Sequence, residues 1–144
     1  MSKRDWVVDH IRRYQESDGA DGHIWPGRDG KQALTCLLLT TTGKKSGGEQ
    51  TTPLIYGQDG DNYIIVASIG GAPDHPDWYY NLAFNADVEV QVLADRFKAK
   101  ARTATGDERA RLWDLMARIF PTYNDYHQSA KATREIPVVV LERS

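Results

Sequence analysis

Apolar and polar positions follow two different rhythms along the chain, and the change of rhythm marks out its elements. Over residues 4–17, Val7, Ile11 and Tyr14 recur at helical spacing with Trp6 and His10 beside them, while Arg12, Arg13 and Glu16 lie opposite. That pattern predicts one amphipathic helix. Residues 18–30 carry Gly19, Gly22, Gly27, Gly30 and Pro26 and predict an irregular loop, long enough to serve as a lid. Residues 33–41, 52–57 and 62–69 are rich in Leu, Ile, Val, Thr and Tyr. They predict three strands of a meander, with Asp59-Gly60-Asp61 as the tight turn between the last two.

Helical spacing returns over residues 76–84, where Pro76 suits a first turn, Asp74 or His75 precedes it as a cap, and Trp78 and Leu82 share a side. Residues 88–93, alternating Val88, Val90 and Val92, and residues 96–105, with Phe97, Ala99 and Ala101 on one face, predict a hairpin. Over residues 107–120, Leu112, Leu115, Met116 and Ile119 form an inward stripe opposite Glu108, Arg109, Arg111 and Arg118, in a helix that Pro121 ends or bends. A short helix over 122–131 and a strand over 136–141 complete the chain, and Val138-Val139-Val140 implies burial on both faces. Strands and crossover helices do not alternate regularly, which disfavours a doubly wound parallel sheet. The order predicts an α+β protein with a closed or half-closed, mostly antiparallel barrel. Residues 1–144 form one domain in this reading, a helix and loop (1–32) preceding the barrel core (33–144).

Composition narrows the function. With 144 residues, 40% apolar and 26% charged, the chain can bury a core without disulfides or metals. A net charge of -2 offers no global field for nucleic acid, and none is expected as a partner. Cys36, inside Leu34-Thr35-Cys36-Leu37-Leu38-Leu39, reads as a small buried hydrophobe rather than a reactive thiol, in a reducing, cytoplasmic setting. No window reaches the roughly 18 apolar residues of a membrane span. The first helix, with Lys3, Arg4, Arg12 and Arg13, has two readings: weak peripheral contact with the inner face of a membrane, and packing on the barrel, which is the one expected. His10, His23, His75 and His127 lack ligand spacing, so no metal is expected. Ser68 lacks the G-x-S-x-G setting of a hydrolase nucleophile.

Three stretches carry candidate chemistry. Thr41, Thr42, Gly43, Lys44, Lys45, Ser46 and Gly47 join two predicted strands with glycines, hydroxyls and two cations, the ingredients of a phosphate-binding nest and also of an ordinary hairpin loop. The order Gly-Lys-Ser is absent, which excludes a Walker A loop. In Ala67-Ser68-Ile69-Gly70-Gly71, followed by Pro76-Asp77-Trp78-Tyr79-Tyr80-Asn81-Leu82, a strand ends, two glycines admit a ligand to the backbone, and a helix begins. Tyr123 and Tyr126, three residues apart, share a helical face, suited to core packing and to hydrogen bonding a carbonyl.

In this order, Leu38-Leu39-Thr40-Thr41-Thr42-Gly43-Lys44-Lys45-Ser46-Gly47, Pro53-Leu54, Asp59-Gly60-Asp61, Ala67-Ser68-Ile69-Gly70-Gly71, Pro76 to Leu82, Pro121-Thr122-Tyr123-Asn124-Asp125-Tyr126 and Arg134-Glu135-Ile136-Pro137 form a set. The set resembles the deazaflavin-dependent nitroreductases of actinobacteria, also described as F-420-dependent quinone reductases, in the flavin/deazaflavin split-barrel superfamily. The resemblance implies an FMN-binding-like split β-barrel of six or seven strands and the coenzyme F-420, with FMN as the alternative. It implies that Thr41 to Gly47, with Lys44, Lys45 and Ser46, hold the phosphate of the coenzyme tail. Ala67, Ser68, Gly70, Gly71, Pro76, Trp78 and Asn81 are then neighbours of the deazaflavin, and Tyr123, Tyr126 and Ser68 the catalytic residues of the acceptor pocket. The implied activity is hydride transfer to a quinone, enone or nitro-activated acceptor; a non-catalytic coenzyme carrier is the rival, and an oligomer is compatible with either. This chain departs from the pattern at Gln50, where relatives often carry an Arg nearby, and at Ile55, Ile69 and Phe120.

Overall fold

The computed structural model describes residues 3–27, 29–44, 47–68 and 71–144. Its elements are α1 (Lys3–Glu16), β1 (Ile24–Trp25), β2 (Leu34–Thr42), β3 (Glu49–Ile55), β4 (Gly57–Asp59), β5 (Asn62–Val66), α2 (Asp77–Phe84), β6 (Asp87–Val92), β7 (Asp95–Thr103), α3 (Gly106–Ile119), α4 (Thr122–Ala130) and β8 (Val138–Arg143). All strand pairs are antiparallel, in the order β1-β2-β6-β7-β8-β5-β4, with β3 also paired to β2.

Only Tyr56 separates β3 from β4, so one bent strand pairs with β2 through Leu37↔Leu54 and with β5 through Gly57↔Ile64. The sheet therefore curls back on itself as a split barrel, in agreement with the α+β expectation. The predicted meander is present in this bent form. Pro53, opposite Leu38, withholds an N–H from β3, which a strand tolerates at an edge; β3 pairs with β2 alone, and its other edge is where the barrel opens.

Alternation along the strands sends one set of side chains into the barrel and the other beneath the helices. Leu37, Leu39, Ile65, Val88, Val90, Val139 and Leu141 fill the interior, with Trp78 and Leu82 of α2 against them. Ile64, Val66, Val138 and Val140 face outward onto Leu112, Met116, Phe120 and Tyr123. The predicted two-sided burial of β8 follows from those two layers. Ile119, assigned inward by its spacing, is 36% exposed at the C-terminal end of α3.

Helix α1 is fastened to the barrel by polar groups as well as apolar ones. Tyr14 is fully buried, its hydroxyl donating to Cys36 O (3.0 Å) and accepting from Leu93 N–H (2.9 Å). The second bond holds Leu93 at φ 55° in the β6–β7 turn, a conformation that costs a side-chain-bearing residue about 1–2 kcal/mol. His10 Nε2 donates to Gly22 O at 2.8 Å. The loop after α1 is not free of regular structure, as its composition implied: Ile24 and Trp25 pair with Thr35 and Leu34. Gly19 and Gly22 make this approach feasible, since a Cβ at either would press on Leu93 or on the His10 ring.

Candidate functional site

A cavity of about 440 Å³ lies between the open edge of β3 and the helices. Gln50, Thr52, Pro53, Leu54 and Ile55 form its β3 side, and Trp6, His10 and Trp25 of α1 and β1 one end. Ser68, Pro76, Asp77 and Trp78 form another wall, and Phe120, Tyr123 and Tyr126 close it from α3 and α4. The lining is mostly apolar with a few converging polar groups, which suits a small organic ligand.

The structure brings together Ser68, Pro76, Trp78, Tyr123 and Tyr126, predicted from three separate stretches of sequence. Tyr123 and Tyr126 follow from the helical phase of α4, with ring centroids 6.4 Å apart, and Phe120 stands 5.0 Å from Tyr123, edge-on. Among the described residues neither phenol hydroxyl is spent on a hydrogen bond. Burial raises the Tyr123 pKa above that of an ordinary phenol, so it stays protonated, a donor rather than an anion, across physiological pH. Cys36 also lines the cavity, but burial pushes its thiol up to about 12, which leaves it unreactive.

Ser68 terminates the run after β5, and the loop beyond it is held from the far end of the chain. Arg134 donates to the carbonyls of Ala67 (3.0 Å), Ser68 (2.7 Å) and Ala72 (2.9 Å). Ala67 itself is fully buried, its N–H donating to Pro137 O. Gly71 adopts φ 80° against α4, where a Cβ would meet Tyr126 Cα and O at 3.0 Å. Gly70 lies outside the described residues. Helix α2 starts without the expected cap: Pro76 is the N-cap in extended conformation, no side chain caps the helix, and the His75 ring is turned to Arg134 instead.

The hairpin between β2 and β3 differs from a free-amide nest. Gly43 N–H donates to Gly48 O (2.6 Å), Gly47 N–H to Gly43 O (2.9 Å), and Lys44 N–H to Asn81 Oδ1 (3.1 Å). An anion at this loop would therefore meet cationic side chains, such as exposed Lys44, rather than those three amides. Lys45 and Ser46 lie outside the described residues. Thr41 is buried and Thr42 half-buried at the end of β2. Asn81, predicted to neighbour the coenzyme, spends its side chain on the protein: Nδ2 donates to Thr41 Oγ1 (3.2 Å) and to Gln50 Oε1 (3.0 Å). It ties α2 to the hairpin. Gln50, one of the departures from the family pattern, braces that amide.

Sequence reasoning missed Trp6, His10 and Trp25 as site residues. The amphipathic pattern assigned the first two to a packing face, and β1 is too short to leave a periodic signal. Among the described residues no cluster of His, Cys, Asp or Glu suits a metal ion, and no helix is long and apolar enough to cross a membrane.

Residues 6–143 match the model of a family described as F420H(2)-dependent quinone reductase. An F420H(2)-dependent quinone reductase of Mycobacterium tuberculosis is 42% identical over 136 residues, 93% of this chain and 87% of that protein. A solved F420-H2 dependent reductase is 38% identical with TM-score 0.68, over 74% of this chain and 93% of that one. Another solved structure, described as a domain-swapped dimer, is 35% identical with TM-score 0.71, over 98% of this chain and 100% of that one. With the family match running through nearly every element from α1 to β8, the chain belongs to the F420H(2)-dependent quinone reductase family.

Proposed function

We propose that this oxidoreductase transfers hydride from reduced F-420 to a quinone in the cavity between β3 and α4. The observation that carries the assignment of residues is the convergence of Ser68, Pro76 and Trp78 with Tyr123 and Tyr126, two phenols that make no hydrogen bond among the described residues, on one apolar space. Reduced F-420 supplies the hydride when bound, and membership of a family named for it favours this coenzyme over FMN. Lys44 and its neighbours in the β2–β3 hairpin hold the acidic tail, and the wall from Ser68 to Trp78 orients the ring. Tyr123 or Tyr126, or the Ser68 hydroxyl, donates a hydrogen bond to the quinone oxygen as negative charge develops there. The apolar lining excludes water, which strengthens that donation.

The tyrosine role predicts that the Tyr123→Phe/Tyr126→Phe double variant binds F-420 with near-normal affinity. Its barrier to quinone reduction should rise by about 3 kcal/mol, a loss of turnover on the order of a hundredfold. Full turnover in the double variant, measured by loss of the reduced coenzyme, removes both tyrosines from the mechanism.

For α1 we favour packing on the barrel over membrane contact. Arg12 pairs with Asp9 and Glu16, and Arg13 with Asp9 and Asp21, so these cations are neutralised locally rather than offered to anionic lipid. Trp6 and Val8, 43% and 57% exposed, are the groups that would enter a bilayer. The favoured reading predicts no sedimentation with anionic liposomes, and co-sedimentation that is abolished by Trp6→Ser would reverse it. The relative solved as a domain-swapped dimer makes an oligomer part of the same proposal.

A further inference from the structure

Carbonyls at the wall of the cavity converge on a single cation that no described carboxylate pairs with. Arg134 Nε, Nη1 and Nη2 reach Ala72 O, Ala67 O and Ser68 O, and Nη1 also lies 3.0 Å from His75 Nδ1. A guanidinium has donors only, so His75 Nδ1 accepts, and the imidazole is neutral with its proton on Nε2. Arg134 stands in the link between α4 and β8, while its three carbonyl acceptors lie more than sixty residues earlier. It therefore joins the end of the barrel run at Ser68 to the segment that leads into α2. Gly71 N–H, donating to Ser68 O at 2.9 Å, lies inside the same arrangement.

We propose that Arg134 is a positioning residue for the cavity wall carrying Ser68 and Pro76, and that it holds this wall only while His75 is neutral. A proton on Nδ1 would set two cations 3.0 Å apart and remove one of the guanidinium's acceptors. The groups facing His75 are Arg134, Asp74 on its own loop, and the phenols of Tyr79 and Tyr80 on α2, 4.8 and 5.5 Å away between ring centroids. Burial first, then the Arg134 charge, lower the His75 pKa, and Asp74 only partly opposes them. Wall order is therefore complete above the ordinary histidine value of about 6.5 and is lost as pH falls through the lower value of folded His75. The consequence for the coenzyme rests on the site assignment above.

The test uses the full-length protein, with His75 followed by NMR and hydrogen-exchange protection of the Gly71 and Ala72 amides measured without coenzyme from about pH 7.5 to about pH 5.5. In the wild type, Gly71 protection should fall with the midpoint of His75, below that of an ordinary histidine. His75→Asn, whose amide oxygen can accept from Arg134 and does not titrate, should hold protection constant. Arg134→Lys, a point charge that cannot span three carbonyls, should have low protection at every pH. The affinity for F-420, read from coenzyme fluorescence, should be alike for wild type and His75→Asn at the upper pH. At the lower pH it should be roughly tenfold weaker in the wild type, about 1.4 kcal/mol, and the comparison cancels any titration of the coenzyme itself. Gly71 protection that ignores the His75 titration, or that changes equally in His75→Asn, overturns the proposal. Protection that tracks His75 in a protein that binds no F-420 at any pH upholds the positioning role and removes the coenzyme assignment.

Discussion

Asn81 joins three backbone or side-chain partners from two other segments through one buried amide: Lys44 N–H, Thr41 Oγ1 and Gln50 Oε1. Its removal strands a backbone donor and deletes three hydrogen bonds that tie the hairpin to α2. Asn81→Ala is expected to lower stability by about 1–3 kcal/mol, read from urea unfolding. It is also expected to weaken F-420 binding about tenfold while leaving turnover at saturating coenzyme within about twofold, because Asn81 does not line the cavity. A variant with unchanged coenzyme affinity and reduced turnover would place Asn81 at the reacting atoms instead. The motif containing Asn81 was visible in the sequence, but its job was not. Hydrogen-bond partners 31 to 40 residues away leave no local periodicity to read. Cys36 is the opposite case, since an apolar run alone sufficed to identify a buried, unreactive thiol.

The elements that meet at the cavity are positioned by backbone contact as much as by side chains. Gly71 at φ 80° packs on the α4 backbone at Tyr126, which couples the wall after Ser68 to the helix that presents both tyrosines. Gly71→Ala is expected to cost about 1–3 kcal/mol and to displace α4, lowering quinone turnover. Gly30→Ala, at φ 72° with nothing within 4 Å of a Cβ, should cost about 1 kcal/mol without affecting turnover. Thermal unfolding and steady-state rates of the two variants separate the contact from the conformation, and equal turnover losses would contradict the coupling. Helices α1 and α3 and strands β6 and β7 were legible from regular apolar spacing, α4 from the phase of Tyr123 and Tyr126, and β2 and β8 from continuous apolar runs. The bend at Tyr56 was not, because the predicted strand ended at Gly57 and Gly57-Gln58-Asp59 beyond it carry no apolar spacing that marks β4. Two-residue β1 exists through pairing with Leu34 and Thr35 rather than through any preference of its own.

At the scale of the molecule, one apolar layer fills the barrel and a second lies under α3 and α4. The cavity forms where β3 has no outer partner. A chain-wide order of short motifs was enough to anticipate the split barrel, the coenzyme class and five residues that share the cavity. It could not show that the amides of Gly43, Lys44 and Gly47 are already engaged, nor that Trp6, His10 and Trp25 close one end. Those features depend on how distant segments pack. The surface ion pairs, such as Arg111 with Asp59 and Arg102 with Glu108, are solvent-exposed and contribute little to this architecture.

The most direct test mixes the protein with reduced F-420 and a soluble quinone and follows the coenzyme absorbance in a single turnover. The assignment predicts saturable binding of F-420 and oxidation of the bound coenzyme on quinone addition. It also predicts that a bulky substitution at the cavity, Ile55→Trp, slows that oxidation while F-420 still binds. Binding of F-420 with no oxidation by any quinone, or oxidation unaffected by Ile55→Trp, would contradict a quinone site between β3 and α4.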